Sequence, residues 1–577
     1  DAKRTKQGRG PVWYKDNKRF GMLAYVENFA GTLAGVRQHL SYVRSLGVNY
    51  LHLMPLLKSP KEKGDGGYAV SDFRAVDPRY GTVEELAALA GDCHAQGISL
   101  CLDFVMNHTS EEHEWAVRAR NGEKEYQDRY YFYDGWEIPN RMERSLPEVF
   151  PTTAPGNFTW CEGAGKVVMT TFYPYQWDLN YHNPVVFNDM TANMLFLCNC
   201  GVDIIRLDAT PYIWKTEGTN CRNLPQVHTL VRLMRIACDI VCPGTLLLGE
   251  IVMEPKEVVP YFGPLQAPEC HLLYNVTTMA TTWHTVATGD VRLLCDQLQK
   301  VFSLPKDYVF LNYLRCHDDI GWGLDYAFLK QFGMEEAAHK QFLNDYFRGL
   351  IFDSFSRGEL YNDDPRLRDA RLCGTCASLC GIEAAQEMQD EVRLETAVSL
   401  DIMLHAFLLT LSGIPVLYSG DEVGRQNDRS YREDPAKAAD SRYLHRGRFD
   451  WDAVKRSKDK TTVEGRIFGA LRSLVRIRSK SRVFVNEADT WLVPLHSERE
   501  NSVLGIGRYH NGEKLLAFFN FSAMPQAVYT EEKEDYIRLA ASGPQGNAGE
   551  HHPGSIGSFL LPGYGFTWFT HTYPKQD

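Results

Sequence analysis

The sequence predicts an α/β protein: a (β/α)8 barrel of the TIM type, with subdomains inserted after strands three and seven and an all-β domain at the C-terminus. Three observations predict it. Eight short apolar runs punctuate the first 420 residues, amphipathic helical stretches separate most of them, and beyond about 481 the pattern changes to short alternating strands with turns. Continuous apolar strands that alternate with helices imply a parallel sheet covered on both faces. Eight such units fit a closed barrel better than an open sheet.

A polar, basic segment, residues 1–21, precedes the barrel region, 22–480. The eight runs are G-M-L-A-Y-V (21–26), N-Y-L-H-L-M-P (49–55), I-S-L-C-L-D-F-V (98–105), V-D-I-I-R-L-D (202–208), T-L-L-L-G-E-I (245–251), H-L-L-Y-N-V (271–276), Y-V-F-L-N-Y-L (308–314) and I-P-V-L-Y-S-G (414–420). Between the second and third lies T-V-E-E-L-A-A-L-A-G-D-C-H-A-Q-G (82–97), a helical pattern closed by a glycine stop. Two connections are too long for simple loops. Residues 109–185, rich in aromatics, Pro and Gly, form the first inserted subdomain, and 320–390 the second. The tail, 481–577, carries T-W-L-V-P-L, S-V-L-G-I-G-R-Y, K-L-L-A-F-F-N-F and G-F-T-W-F-T, which read as strands of a β-sandwich.

Composition narrows the function. A net charge of −11 argues against nucleic acid or an anionic membrane as partner and suits a neutral ligand. No window holds the roughly 18 apolar residues that a membrane span needs. The first ten residues show no signal peptide, although a start at Asp1 is compatible with a trimmed leader and a secreted protein. Fourteen cysteines, many inside apolar segments, point to free buried thiols and a cytoplasmic setting. Cys373, Cys376 and Cys380, spaced C-x-x-C-x-x-x-C, lack an evident fourth ligand and read as alanine-like residues of one small-residue helix.

In a (β/α)8 barrel the active site lies at the C-terminal strand ends. There strand three delivers Asn107 and His108, strand four Arg206 and Asp208, strand five Glu250, and strand seven R-C-H-D-D-I-G-W (315–322). Convergent carboxylates and histidines allow three readings. A metal site is disfavoured by an arginine two residues from the acid. A structural ion-pair network is the plain alternative. Glycoside chemistry is the third, with one carboxylate attacking the anomeric carbon and a second carboxyl protonating the leaving oxygen.

The segments D-F-V-M-N-H, G-V-D-I-I-R-L-D-A, G-E-I and R-C-H-D-D resemble, in order, the four signature regions of glycoside hydrolase family 13, the α-amylase family. G-V-N-Y-L-H-L-M-P, Q-W-D-L-N and G-D-E-V-G resemble its subsidiary regions. Within that family the chain is similar to amylosucrases and sucrose hydrolases, through D-G-G-Y-A-V-S (65–71), T-T-F-Y-P-Y-Q-W-D-L-N-Y (170–181), C-H-D-D-I-G-W and D-S-R-Y-L-H-R (440–446). D-P-R-Y-G-T after strand two also looks like the family's α-glucosidases.

The resemblance implies a retaining enzyme that cleaves sucrose, releases fructose and passes glucose to an α-glucan or to water. Asp208 would be the nucleophile, Glu250 the acid/base and Asp318 the transition-state stabiliser. Arg206 would pair with Asp208, while His108 and His317 would bind glucosyl hydroxyls and Tyr68 would stack. Asp65 and Arg442 would form a salt bridge that closes the glucose pocket. Phe172, Gln176, Asp319 and Arg371 would surround the leaving-group and acceptor sites. Sucrose and α-glucan oligosaccharides are the partners implied, with no cofactor and no metal. The rival within enzymes is an α-glucosidase acting on maltose-type ends. The rival outside them, a catalytically inactive binding subunit, is disfavoured because all three acids are present.

Overall fold

The computed structural model describes residues 12–253, 255–365, 369–542 and 549–572. The first eleven residues of the expected N-terminal segment lie outside them. Eight strands close a barrel: β1 (Gly21–Ala24), β2 (Tyr50–Leu53), β3 (Ser99–Val105), β4 (Ile204–Asp208), β5 (Leu246–Gly249), β6 (Leu272–Tyr274), β7 (Val309–Tyr313) and β8 (Ile414–Tyr418). They neighbour one another in chain order and β8 meets β1. The pairs β2–β3, β3–β4, β4–β5, β5–β6 and β7–β8 are parallel. Every residue of these strands is buried, which is why each reads as a mainly apolar run. Among the described residues no helix is long and apolar enough to cross a membrane.

The helices form for local reasons. Helix α1 (Val83–Ala95) starts with a capping box: Thr82 Oγ1 accepts from the Glu85 amide at 3.2 Å, and Glu85 Oε2 accepts from the Thr82 amide at 2.9 Å. Such a cap contributes about 1 kcal/mol. Leu86, Leu89, Ala90 and Cys93, at helical spacing, form its buried face. Helix α2 (Pro184–Asn199) leads into β4, and α3 (Pro225–Val241) follows it, each with proline where no helical N–H is required.

Residues form two compact units. One holds Leu23–Tyr42 and Tyr50–Tyr274; the other holds Tyr14–Met22, Val43–Asn49 and the chain from Asn275 on. In the first unit, the connection after β3 folds as small sheets. His108–Ser110 pairs antiparallel with Gln176–Asp178, and a three-stranded sheet joins Phe132–Tyr133, Lys166–Met169 and Phe158–Cys161. In the second unit, the connection after β7 holds the helix Glu336–Phe347 and a hairpin of Glu359–Asp364 with Asp369–Cys373.

The last part of the second unit is a β-sandwich. One antiparallel sheet contains β9 (Asp489–Leu492), β10 (Val503–His510), β11 (Glu513–Asn520), β12 (Tyr536–Ala541), β13 (His551–His552) and β14 (Phe566–Thr572), in the order β9-β10-β11-β14-β12-β13. A three-stranded sheet faces it, and Phe518 and Phe569 of the first pack with Val528 and Leu561 of the second.

All fourteen cysteines are free, and all but Cys295 are buried. The single helix expected over Cys373, Cys376 and Cys380 needs correction. Cys373 ends a hairpin strand; Thr375 then caps a new helix, Cys376–Leu379, by accepting from the Ser378 amide. A capping threonine favours a helix start at that point over continuation from Cys373.

Two buried arginines, one from the sandwich and one from the helix Val463–Lys480 before it, hold the C-terminal end of helix α4 (Glu391–Thr410). Arg508 of β10 donates to the carbonyls of Thr410, Val483 and Val485 at 2.9 Å each. Arg478 donates to those of Leu409, Leu411 and Gly413. A helix C-terminus leaves carbonyls without intrahelical partners and attracts positive charge, so two guanidiniums serve both needs. Burial pushes both pKa values down to about 9, which leaves them charged at neutral pH. Arg508→Met is therefore expected to destabilise the fold by about 3 kcal/mol, since it strands buried carbonyls. Thermal unfolding at the same temperature as the parent would refute this.

Candidate active site

The residues expected to act lie in two clusters, one in each unit. In the first, the register of adjacent barrel strands decides the geometry. Arg206 of β4 lies directly opposite Asp103 of β3. Its Nη1 reaches Asp103 Oδ1 at 2.5 Å and Asp208 Oδ1 at 2.6 Å, and its Nη2 reaches Glu250 Oε1 at 2.8 Å. One guanidinium thus bridges three carboxylates. Burial works against its charge, but Asp103 and Glu250 more than offset that and keep it protonated.

Asp208 ends β4 with only 11% of its side chain exposed, and Glu250 follows β5 at 18%. Ala209, just past the nucleophile candidate, adopts a left-handed conformation (φ 48°), and its amide donates to Glu250 Oε2 at 2.9 Å. A non-glycine residue in that region costs on the order of 1 kcal/mol, and such strain concentrates at functional sites. Burial first, and the Glu250 carboxylate second, push Asp208 well above the usual carboxylate range, with Arg206 pulling back. Two carboxylates held on one guanidinium titrate as a coupled pair.

Asp103 was not among the expected residues, yet it holds the cluster together. It takes His52 Nε2 at 2.8 Å and the Tyr68 hydroxyl at 3.1 Å as well as Arg206. The Arg206 guanidinium also lies over the Tyr68 and Tyr274 rings. The available signal was an acid inside the otherwise apolar run L-C-L-D-F-V.

His108 sits past the end of β3. Its Nε2 donates to the Tyr68 carbonyl at 3.1 Å, and Nδ1 accepts from Asn107 Nδ2 at 3.2 Å, roles assigned from the hydrogen-bond network. Burial pushes the ring down to about 4, so it is neutral at physiological pH. Phe172 packs against it and against Tyr212, with ring centroids 5.2 and 5.3 Å away. Asp65, in a left-handed turn (φ 46°), accepts from Gln176 Nε2 at 3.2 Å, which brings together two candidate residues from distant segments. Below them Lys215, not anticipated from sequence, bonds Asp178 at 2.6 Å and Asn107 and Thr171 at 3.1 Å, so an ammonium occupies the interior beside Asn107.

In the second cluster the chain leaves β7 through buried Arg315, whose Nε donates to the Gly374 carbonyl and whose Nη2 donates to that of Asp318. The His317 carbonyl accepts from His445 Nε2 at 2.9 Å and Arg446 Nε at 2.8 Å. His317 Nε2 lies 3.1 Å from Asp318 Oδ2, while Arg446 Nη2 and Arg442 Nη1 lie 3.3 and 3.8 Å from Oδ1. Arg442 is itself clamped by Asp440 through a two-pronged contact, at 2.9 and 2.7 Å. Asp319 takes Arg371 Nη1 at 3.2 Å, because Ile320 and Leu372 exchange backbone hydrogen bonds and set the two neighbours side by side. His445 and Arg446 were missed as functional candidates, although both belong to the quoted D-S-R-Y-L-H-R segment.

Residues 5–319 match the family profile described as the catalytic domain of alpha amylase. The chain belongs to the α-amylase family. Among its relatives, the trehalose synthase of Pimelobacter sp. (strain R48) is 29% identical over 439 residues, covering 73% of this chain and 69% of that one. The trehalose synthase of Thermus thermophilus is 28% identical over 545 residues, 90% of this chain but only 51% of that protein. The chain thus spans from about half to two thirds of these relatives' length. The trehalulose synthase MutB of Pseudomonas mesoacidophila MX-45 shares the fold with a TM-score of 0.68, at 19% identity, covering 97% of this chain and 100% of that structure.

Membership gives the strand-end acids a context. In an α-amylase-family barrel, two carboxyls bridged by one guanidinium can supply one ionised and one protonated group, the pair that retaining glycoside chemistry requires.

Proposed function

We propose that this chain is a retaining α-glucosyl enzyme that takes a terminal glucosyl unit from a disaccharide, with sucrose as donor, and passes it to an α-glucan end or to water. The observation that carries the reading is the Arg206 bridge, which holds Asp208 and Glu250 on one cation at the ends of adjacent strands. In the first step an Asp208 oxygen attacks the anomeric carbon while the bond to the leaving oxygen breaks. Glu250 gives its proton to that oxygen, so fructose leaves as a neutral alcohol. In the second, Glu250 takes the proton of an acceptor hydroxyl, which attacks the same carbon and displaces Asp208. Two displacements restore the starting configuration.

Asp318, with His317, Arg442 and Arg446 around it, is the candidate for stabilising the oxocarbenium-like charge. Asp65 and Arg442 are proposed to close the glucose pocket, and Asp319 and Arg371 to shape the next sugar site. The Asp319–Arg371 contact supports the latter role, and Arg442, held by Asp440 beside Asp318, is placed at the strand-seven end where the former would act. The sucrose assignment rests on the segments shared with amylosucrases.

The relatives named trehalose synthase favour a second reading, in which trehalose is the disaccharide handled and maltose-type ends supply the glucose. Incubation with sucrose, maltose and trehalose in parallel, with products separated, decides between them. Fructose release from sucrose, with glucosyl transfer or glucose alongside, is the expected result. No reaction with sucrose, but interconversion of maltose and trehalose, would replace the first reading by the second.

A further inference from the structure

Away from the proposed reaction, three side chains from two helices of the second unit meet in a closed interior. Cys376 starts the helix Cys376–Leu379, and Asp401 and His405 stand one turn apart on α4. A thiol sulfur, a carboxylate oxygen and an imidazole nitrogen of these residues all lie within 4.8 Å of one another. All three residues are 0% exposed. A buried carboxylate without hydrogen bonds is costly and rare in native proteins. Yet among the described residues neither oxygen of Asp401 has a hydrogen-bond partner, and neither does Nε2 of His405.

The histidine is oriented for ligation. Its Nδ1 lies 3.3 Å from Asp401 Oδ1 and 2.8 Å from the Asp401 carbonyl oxygen, to which it donates, so Nε2 is the nitrogen that an ion displacing the ring's second proton would take. A second hydrogen bond from the far ring nitrogen to a backbone carbonyl is how metal-binding imidazoles are held. Cys380, one turn beyond Cys376, places a second thiol in contact with the first.

We propose that Cys376, Asp401 and His405 form a buried binding site for a borderline divalent transition ion, Zn2+ being the best match, with Cys380 beside the fourth position. Thiolate, imidazole and carboxylate together select zinc over magnesium or calcium, which prefer oxygen alone. Binding releases the Cys376 proton to solvent, and thiolate and carboxylate then balance the two positive charges. The ion would join the short helix to α4. Gly374, two residues before Cys376, accepts from Arg315 and donates to His445, so the joint would stiffen the support of the strand-seven end. The C-x-x-C-x-x-x-C spacing concealed this, because the nitrogen and oxygen ligands come from a later helix.

The rival is a metal-free network in which, against burial, the neighbouring Asp401 and buried Asp421, just past β8, hold His405 protonated by raising its pKa to about 9. The full chain, expressed with zinc supplement and stripped of loose ions, is to be analysed by elemental mass spectrometry and then reconstituted with Co2+. The expected result is about one zinc per chain and thiolate-to-cobalt absorption. Both are expected to be lost in Cys376→Ser and in Asp401→Asn, and kept in Cys238→Ser, which alters the separate Cys198/Cys238/Cys242 group. If the first two variants do not fold, the parent decides: cobalt–thiolate absorption with a Tm lowered by chelator supports the site. A parent without metal, metal that survives both substitutions, or metal lost with Cys238 overturns it.

Discussion

Asp208→Asn is expected to lower kcat/KM on the active disaccharide by at least about 10⁴-fold while leaving the fold intact. The amide has the size of the carboxylate, but it cannot carry a glycosyl ester, so covalent catalysis is lost. Arg206 stays in place because Asp103 and Glu250 still hold it. Steady-state kinetics would overturn the nucleophile assignment if the variant kept more than about 1% of parental activity. The parent offers a second check through pH. Its nucleophile must be ionised, and burial together with Glu250 raises the Asp208 pKa. Activity is therefore expected to fall as pH drops through a value above the ordinary carboxylate range. An acid limb near 4, the unperturbed value, would show that the pair is not coupled in the free enzyme.

The sequence made the barrel legible because strands buried on both faces must be largely apolar. Each run encloses its strand and exceeds it by no more than a few residues, as with 202–208 against Ile204–Asp208. Many residues past the last ladder hydrogen bond, such as Met54, Ile251 and Leu314, are as buried as those inside it, so hydrophobicity alone cannot place the end. Helix α1 was legible through its helical periodicity and its glycine stop. Asp103 was not legible as part of the site, because its meaning depends on register. Only when β3 and β4 lie side by side does it face Arg206, 103 residues further on.

The same limit explains His445, Arg446 and Asp401. The first two act through the carbonyl of His317, and a backbone acceptor leaves no mark in the sequence of the segment that reaches it. Asp401 sits in an apolar helix whose buried positions run nearly all round, so no amphipathic stripe sets it apart. Chemistry carried by local spacing was readable, and chemistry assembled by tertiary packing was not.

Glu250→Gln separates the two carboxyls by role. A sugar alkoxide is a poor leaving group and needs the Glu250 proton, so turnover of the disaccharide is expected to fall by about 10²–10⁴-fold, the range for loss of a general acid. Fluoride needs no proton. α-Glucosyl fluoride should therefore still form the Asp208 ester at a much less reduced rate. That ester then accumulates, because water lacks a base to activate it. Azide, an anion that needs no deprotonation, should relieve the block by attacking the anomeric carbon opposite the ester and giving α-glucosyl azide. The anomer is the decisive readout. A variant lacking the nucleophile has no ester to displace, so azide would attack the fluoride directly and give the β product. The α-azide from Glu250→Gln assigns the acid/base role to Glu250, whereas the β-azide would exchange the roles of the two groups that Arg206 bridges.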